Sequence, residues 1–146
     1  MRSILLGLAL ACMSCATGPS APLLQAEEGP HSLRVQITGV RCCDAAVRIG
    51  VYRTATDWLK EGRVFKARLL MVPRTQSELT LYGLPAGTYA LAAFQDNNDN
   101  GRLDRWFGLL PREPVAFSKV SDRRLPPEFD ESAVRVPSDA LVTLAF

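Results

Sequence analysis

The run Gly83-Leu84-Pro85-Ala86-Gly87-Thr88-Tyr89-Ala90-Leu91-Ala92-Ala93-Phe94-Gln95 decides the fold class. Pro85 presets one backbone angle, and the flanking glycines tolerate the left-handed conformation that reverses a chain. From Thr88 the pattern then alternates, with Tyr89, Leu91 and Ala93 on one face and Ala90, Ala92 and Phe94 on the other. A strand that is apolar on both faces belongs in the middle of a two-layer core.

The same period of two extends in both directions. Leu33, Val35 and Ile37 alternate with Arg34, Gln36 and Thr38 up to Gly39, and Val47, Ile49 and Val51 alternate with Arg48, Gly50 and Tyr52. Both read as strands. Phe65 to Val72 and Leu79 to Leu84 supply two more, with one helical turn expected at Asp57 to Glu61, closed by Gly62. Ala133 to Phe146 reads as a hairpin about Pro137-Ser138-Asp139. No long amphipathic helix and no internal repeat interrupts the series. The chain is therefore expected to be all-β: a two-layer antiparallel β-sandwich of about seven strands forming a single domain over residues 32–146.

Composition narrows the function. The 146 residues suit one domain, and 17 Lys and Arg against 15 Asp and Glu give a net charge of +2. That balance lacks the basic excess of a nucleic-acid binder, so no nucleic-acid partner is expected. A single histidine, His31, excludes most histidine-based catalysis and His-rich metal sites.

Met1-Arg2-Ser3 followed by the apolar stretch Ile4 to Met13 has the order of a secretory signal and is too short to span a bilayer. Residues 1–21 are read as that signal and 22–31 as a flexible tether ending at His31, so the product is exported to the periplasm or cell envelope. Leu8-Ala9-Leu10-Ala11-Cys12 resembles a lipobox, making Cys12 a lipidation candidate, although Ala9 stands where a larger aliphatic residue is usual. Ordinary cleavage after Ala16, Ala21 or Ala26 is the other reading. Cys42 and Cys43 are adjacent, and their Cα spacing of about 3.8 Å is shorter than disulfides prefer. A strained bridge, two free thiols and bonds to another chain all remain open.

One constellation suggests chemistry. In Asp96-Asn97-Asn98-Asp99-Asn100-Gly101-Arg102-Leu103-Asp104, Asp96, Asn98 and Asn100 take the first, third and fifth positions of a calcium loop. Gly101 takes the sixth, Arg102 offers a backbone carbonyl at the seventh, and Asp104 takes the ninth. Oxygens on alternate residues let a short loop curl around a hard cation, here Ca2+. The twelfth position, usually a bidentate glutamate, is Phe107, with Glu113 or Asp99 as possible substitutes. The plainer alternative is an Asx-rich turn capping its own backbone. No nucleophile elbow, phosphate loop or dinucleotide glycine pattern occurs.

These readings point to a non-enzymatic binding or scaffolding module whose partner is an envelope protein or glycan. Two alternatives stand beside it. One is a small envelope enzyme acting on glycans through paired carboxylates near Trp106, with Trp58, Trp106 and Phe107 as a sugar platform. The other is a structural lipoprotein without metal.

From Ser32 to Phe146 the chain resembles the exported bacterial family catalogued as domain of unknown function 2141. The residues that carry this are Gly83 to Ala90 leading into Phe94-Gln95-Asp96, then Leu103-Asp104, Phe107-Gly108-Leu109-Leu110-Pro111, Phe117-Ser118 and Phe129 to Ala133. The resemblance implies a transthyretin-like or carboxypeptidase-regulatory-like sandwich, within the broader transthyretin/immunoglobulin-like class, and no established activity. The chain departs from the pattern at Gln95, where His is frequent, and at Ala116, where Gly is usual. Related collagen-adhesin sandwiches carry Lys–Asn crosslinks, but Asn97, Asn98 and Asn100 all lie in the acidic loop.

Overall fold

Alternating valine, isoleucine and leucine side chains can be buried only if two sheets face each other, and that is the arrangement found. The computed structural model describes residues 29–40, 45–60, 62–72, 76–106, 110–121 and 126–146. Residues 1–28, which include the stretch read as a signal, Cys12 and most of the range read as tether, lie outside the described residues, as do Cys42, Cys43 and Phe107.

The strands are β1 (His31–Thr38), β2 (Ala45–Tyr52), β3 (Lys66–Val72), β4 (Gln76–Leu84), β5 (Gly87–Asp96), β6 (Arg105–Trp106), β7 (Leu110–Pro111), β8 (Val115–Phe117), β9 (Ala133–Val136) and β10 (Leu141–Ala145). The smaller sheet runs β10-β1-β4 and the larger β3-β2-β5-β8, with β9 also paired to β5. Leu33, Val35, Ile37, Leu81, Val142 and Leu144 of the first meet Val47, Ile49, Val51, Leu91 and Val134 of the second in one buried core. Tyr89 lies in this core at 0% exposure and donates its hydroxyl to the Pro85 carbonyl at 2.7 Å, tying the turn that precedes β5 back onto the strand.

β5 is central, as its sequence indicates. It pairs antiparallel with β2 along its length, and with β8 and β9 in succession on its other edge.

Several local expectations change. Ala133 to Phe146 is not a hairpin: β9 pairs with β5 in the larger sheet, whereas β10 pairs with β1 in the smaller one. Val134 and Val136, like Val142 and Leu144, do point into the core. Alternation fixes which face is buried and carries no information about which strand is the neighbour. The β1–β10 pairing is also parallel, so the sandwich is not antiparallel throughout. Residues 55–59 form turns rather than a helical turn, closed by the Lys60 N–H on the Asp57 carbonyl at 3.0 Å. The Thr54 hydroxyl accepts the Asp57 N–H and donates to its carboxylate, a cap that starts a turn, and Leu59 at φ +56° keeps the turn from continuing as a helix. His31 opens β1, one residue inside the range read as tether. The two-residue strands β6 and β7 and the three-residue β8 are too short for any period to announce them.

Candidate functional site

The outward face of the larger sheet is where the chemistry lies. Register places Arg48 opposite Phe94, Gly50 opposite Ala92 and Ala46 opposite Asp96 on β2 and β5. Ala67 lies opposite Gly50 on β3, and Phe117 opposite Ala92 on β8. This face is thus apolar along most of its length, and the small β6–β7 sheet lies beside it, contributing Arg105 and Pro111 to the recess there. The apolar second face of β5 is explained by what packs there.

One end is closed by an aromatic cluster. The loop after β2 carries Trp58 across the sheet, where it meets Tyr52, Phe117 and Phe129 edge-on at centroid distances of 5.2, 6.1 and 6.0 Å. Its indole N–H donates to the Pro127 carbonyl at 2.8 Å. Trp58 is therefore a packing residue. Trp106 lies elsewhere, exposed on β6 with the Arg112 guanidinium 4.7 Å above its ring. The two tryptophans do not form one platform.

The other end is closed by the acidic loop. Asp96 is the last residue of β5 and is buried. Its Oδ2 accepts from Arg48 Nε at 2.6 Å and from the Gly101 N–H at 2.9 Å, and its Oδ1 accepts from the Asn100 N–H at 3.1 Å. Burial would raise the Asp96 pKa, but the bonds from Arg48, Gly101 and Asn100 together outweigh it and hold the carboxyl below its usual range. Gly101 has φ +79°, a conformation that admits this curl only at low cost for glycine. Arg48 reaches on to Asp99 Oδ1 at 3.2 Å.

Glu113, buried just before β8, clamps both ends of the loop. One oxygen accepts from the Asn97 N–H at 2.9 Å and the other from the Asp104 N–H at 3.1 Å. No sequence spacing links Glu113 to those amides; only the fold does.

The five loop residues read as cation ligands are brought together in part. Asn98 and Asn100 turn their amide Nδ2 ends onto the two oxygens of Asp104 at 2.9 and 3.1 Å. Their Oδ1 atoms accept backbone N–H groups, Asn98 from Asn100 and Asn100 from Arg102. Asp96 stands apart on Arg48. Asp96 curls the loop onto itself through the Asn100 and Gly101 N–H groups, and a guanidinium supplies the positive charge beside this first acid. Glu113 reaches the loop but spends both oxygens on backbone. As placed, the Asp104 oxygens take the two amide donors and Asp96 takes the Arg48 guanidinium. Among the described residues no three His, Cys, Asp or Glu side chains form a metal cluster.

Between the aromatic cluster and the acidic loop lies a cleft of about 530 Å³. Its floor is Gly50, Ala67 and Ala92, its walls include Phe94, Leu103, Val115 and Leu59, and its rim carries Arg48, Arg102 and Arg105. The size falls in the range of small-molecule sites. Small residues in the floor make the depth. Gly50 leaves space that the Tyr52 ring partly covers, since a Cβ there would stand 3.1 Å from that ring. Gln95 and Ala116, the two departures from the family pattern, are both buried, and register puts them on the opposite, core-facing side of the sheet.

No described helix is long and apolar enough to cross a membrane. No curated protein and no solved structure matches the chain. A family model described as an uncharacterized protein conserved in bacteria, DUF2141, matches residues 35–143, which span both sheets, the cleft and the acidic loop. The chain belongs to that bacterial family.

Proposed function

We propose that this chain is an exported, non-enzymatic binding module of the bacterial cell envelope that holds a small ligand in the cleft on the outer face of its larger sheet. The observation that carries the reading is the cleft itself: an apolar recess of about 530 Å³ held open between two packed ends. Its lining includes no carboxylate, histidine, cysteine or serine among the described residues, which favours binding over catalysis. The glycan-hydrolase alternative needs two acids converging on one cleft, and Asp104 and Glu113 are instead joined through the loop backbone. Export is supported by the order of charge, apolar core and small residues in 1–21.

The test is a neutral, environment-sensitive dye such as Nile red titrated into the full chain. Wild type should enhance its emission saturably, and Ala92→Phe, which fills the floor, should remove the enhancement while leaving the melting curve in place. Equal enhancement in both proteins would overturn the reading. Intact-mass measurement on protein recovered from expressing bacteria tests export, and unprocessed Met1 in the cytoplasm would overturn that part. Added mass at Cys12 would identify a lipid anchor.

Calcium at the acidic loop is a second reading, favoured by one observation. Asp104 and the amides of Asn98 and Asn100 converge on one exposed side of the loop. The amide nitrogen and oxygen are exchangeable by a half-turn, which would present acceptors in place of donors.

A further inference from the structure

The cleft has a charge asymmetry that the binding reading alone does not use. Among the described residues its charged lining groups are all arginines, with no acid beside them. Arg48 is already committed to Asp96 and Asp99. Arg105, projecting from β6 at the rim, is exposed and has no ion-pair partner among the described residues. Across the recess, the Tyr52 phenol is pushed up by burial and drawn back by the Arg105 charge, so the two groups share one electrostatic environment. The apolar surface meanwhile runs on past the cleft: Leu69 and Met71 on β3 share the outer face with Ala67, and both are more than half exposed.

From this charge complementarity we infer that the cleft selects an apolar monoanion, a carboxylate carried on a hydrocarbon body, with the body over Gly50 and Ala92 and the carboxylate on the Arg105 guanidinium. This deepens, and rests on, the binding reading above. A guanidinium fork matches the two oxygens of a carboxylate, and a charge-assisted bond of this kind is stronger than one to a neutral hydroxyl. A cationic head would meet three arginines and, among the described residues, no acid. Among the described residues a dianion would find one uncommitted guanidinium, since Arg48 is neutralised by its own carboxylates and Arg102, itself a loop residue, already has a partner.

The experiment titrates decanoate, 1-decanol and decylamine into the full chain by calorimetry, below the aggregation threshold of each. Decanoate should bind with one site per chain, at least about ten-fold more tightly than decanol, and decylamine should not bind. Arg105→Gln should bring decanoate down to the level of decanol and leave decanol unchanged. Ala92→Phe should abolish binding of both, with melting curves confirming that each variant is folded. If decanol matches decanoate, or if Arg105→Gln leaves decanoate unmoved, selection of an anion is overturned while the cleft stands as a binding site. If no probe binds wild type, and Nile red does not either, the cleft reading fails with it.

Discussion

Arg48 and Asp96 are 48 positions apart in the chain, and their side chains meet at 2.6 Å on the outer face of the larger sheet. Asp96 lies opposite Ala46 in the β2–β5 register, so Arg48 approaches it from the diagonal position two residues along the strand. The contact has two consequences. It pins the first residue of the acidic loop to the sheet, and it builds the end wall of the cleft from a neutralised pair rather than from a bare charge.

Removing one partner should therefore cost more than removing both. The Asp96 side chain has no exposed surface and that of Arg48 is 29% exposed, so Arg48→Met strands a buried carboxylate. A loss of about 2–4 kcal/mol is expected in a urea titration, toward the low side of what breaking a fully buried pair costs. The double variant Arg48→Met/Asp96→Asn should recover part of this, because no unpaired charge remains. A single-variant loss below about 0.5 kcal/mol would mean that water already reaches the carboxylate.

The same pair sets an acid limit. Asp96 titrates below the ordinary aspartate value in the folded state, because its three donors outweigh burial. The unfolded chain then binds the extra proton first, so stability falls as pH falls. The contribution should be complete above about pH 4, the unfolded value, and be lost on descending through the depressed native value. Asp96→Asn should flatten that portion of the stability profile, measured from pH 5 to pH 2. A wild-type profile indistinguishable from the variant would remove the pair from the account of acid stability.

The contrast between core and surface can be checked independently. Leu91 is fully buried between the sheets, so Leu91→Ala should leave a cavity and cost about 2–5 kcal/mol. Gln36, on the outer face of β1, accepts from the Thr143 hydroxyl at 3.4 Å, and Gln36→Ala should stay within about 0.5 kcal/mol. Equal losses in a denaturant titration would mean that the strand faces are misassigned.

Strand faces were legible in the sequence because a two-residue period reports burial directly, as in Leu33-Val35-Ile37 and Val47-Ile49-Val51. Strand neighbours were not. Val134 and Val142 alternate equally well, and only the assembled sheets show that they belong to different layers. The acidic loop announces itself through its spacing, but its partners do not. Arg48 looks like any outward residue of β2, and Glu113, named from the sequence only as a stand-in ligand, gives no sign there that it holds the Asn97 and Asp104 amides. Both act through strand register, a relation between distant segments that no local pattern encodes. The cleft was invisible for a further reason: Gly50, Ala67 and Ala92 are small residues on three different strands, and the recess exists only where they are laid side by side.

The acidic loop gives the last prediction. Calcium that binds only the folded loop must raise the melting temperature by mass action. Asp104 is partly exposed and makes no ion pair among the described residues, and Asn98 and Asn100 must turn their amides to present oxygen to an ion there, which costs their bonds to Asp104 and to the Asn100 and Arg102 N–H groups. Arg48 lies against Asp96 and repels a cation there. Weak affinity follows, about 10⁻⁴–10⁻³ M, as in extracellular modules, with magnesium doing less because it demands tighter octahedral geometry. Asp104→Ala should abolish the calcium-dependent rise, and Asn97→Ala, outside the ligand spacing, should keep it. Arg48→Met offers the discriminating case: although less stable without calcium, it should show a larger calcium-dependent rise than wild type, since the competing cation is gone. If millimolar calcium leaves both wild type and Arg48→Met unmoved, the loop is a self-capped Asx turn. The asparagine amides and the Arg48 guanidinium then already neutralise its acids, and no ion is needed to order it.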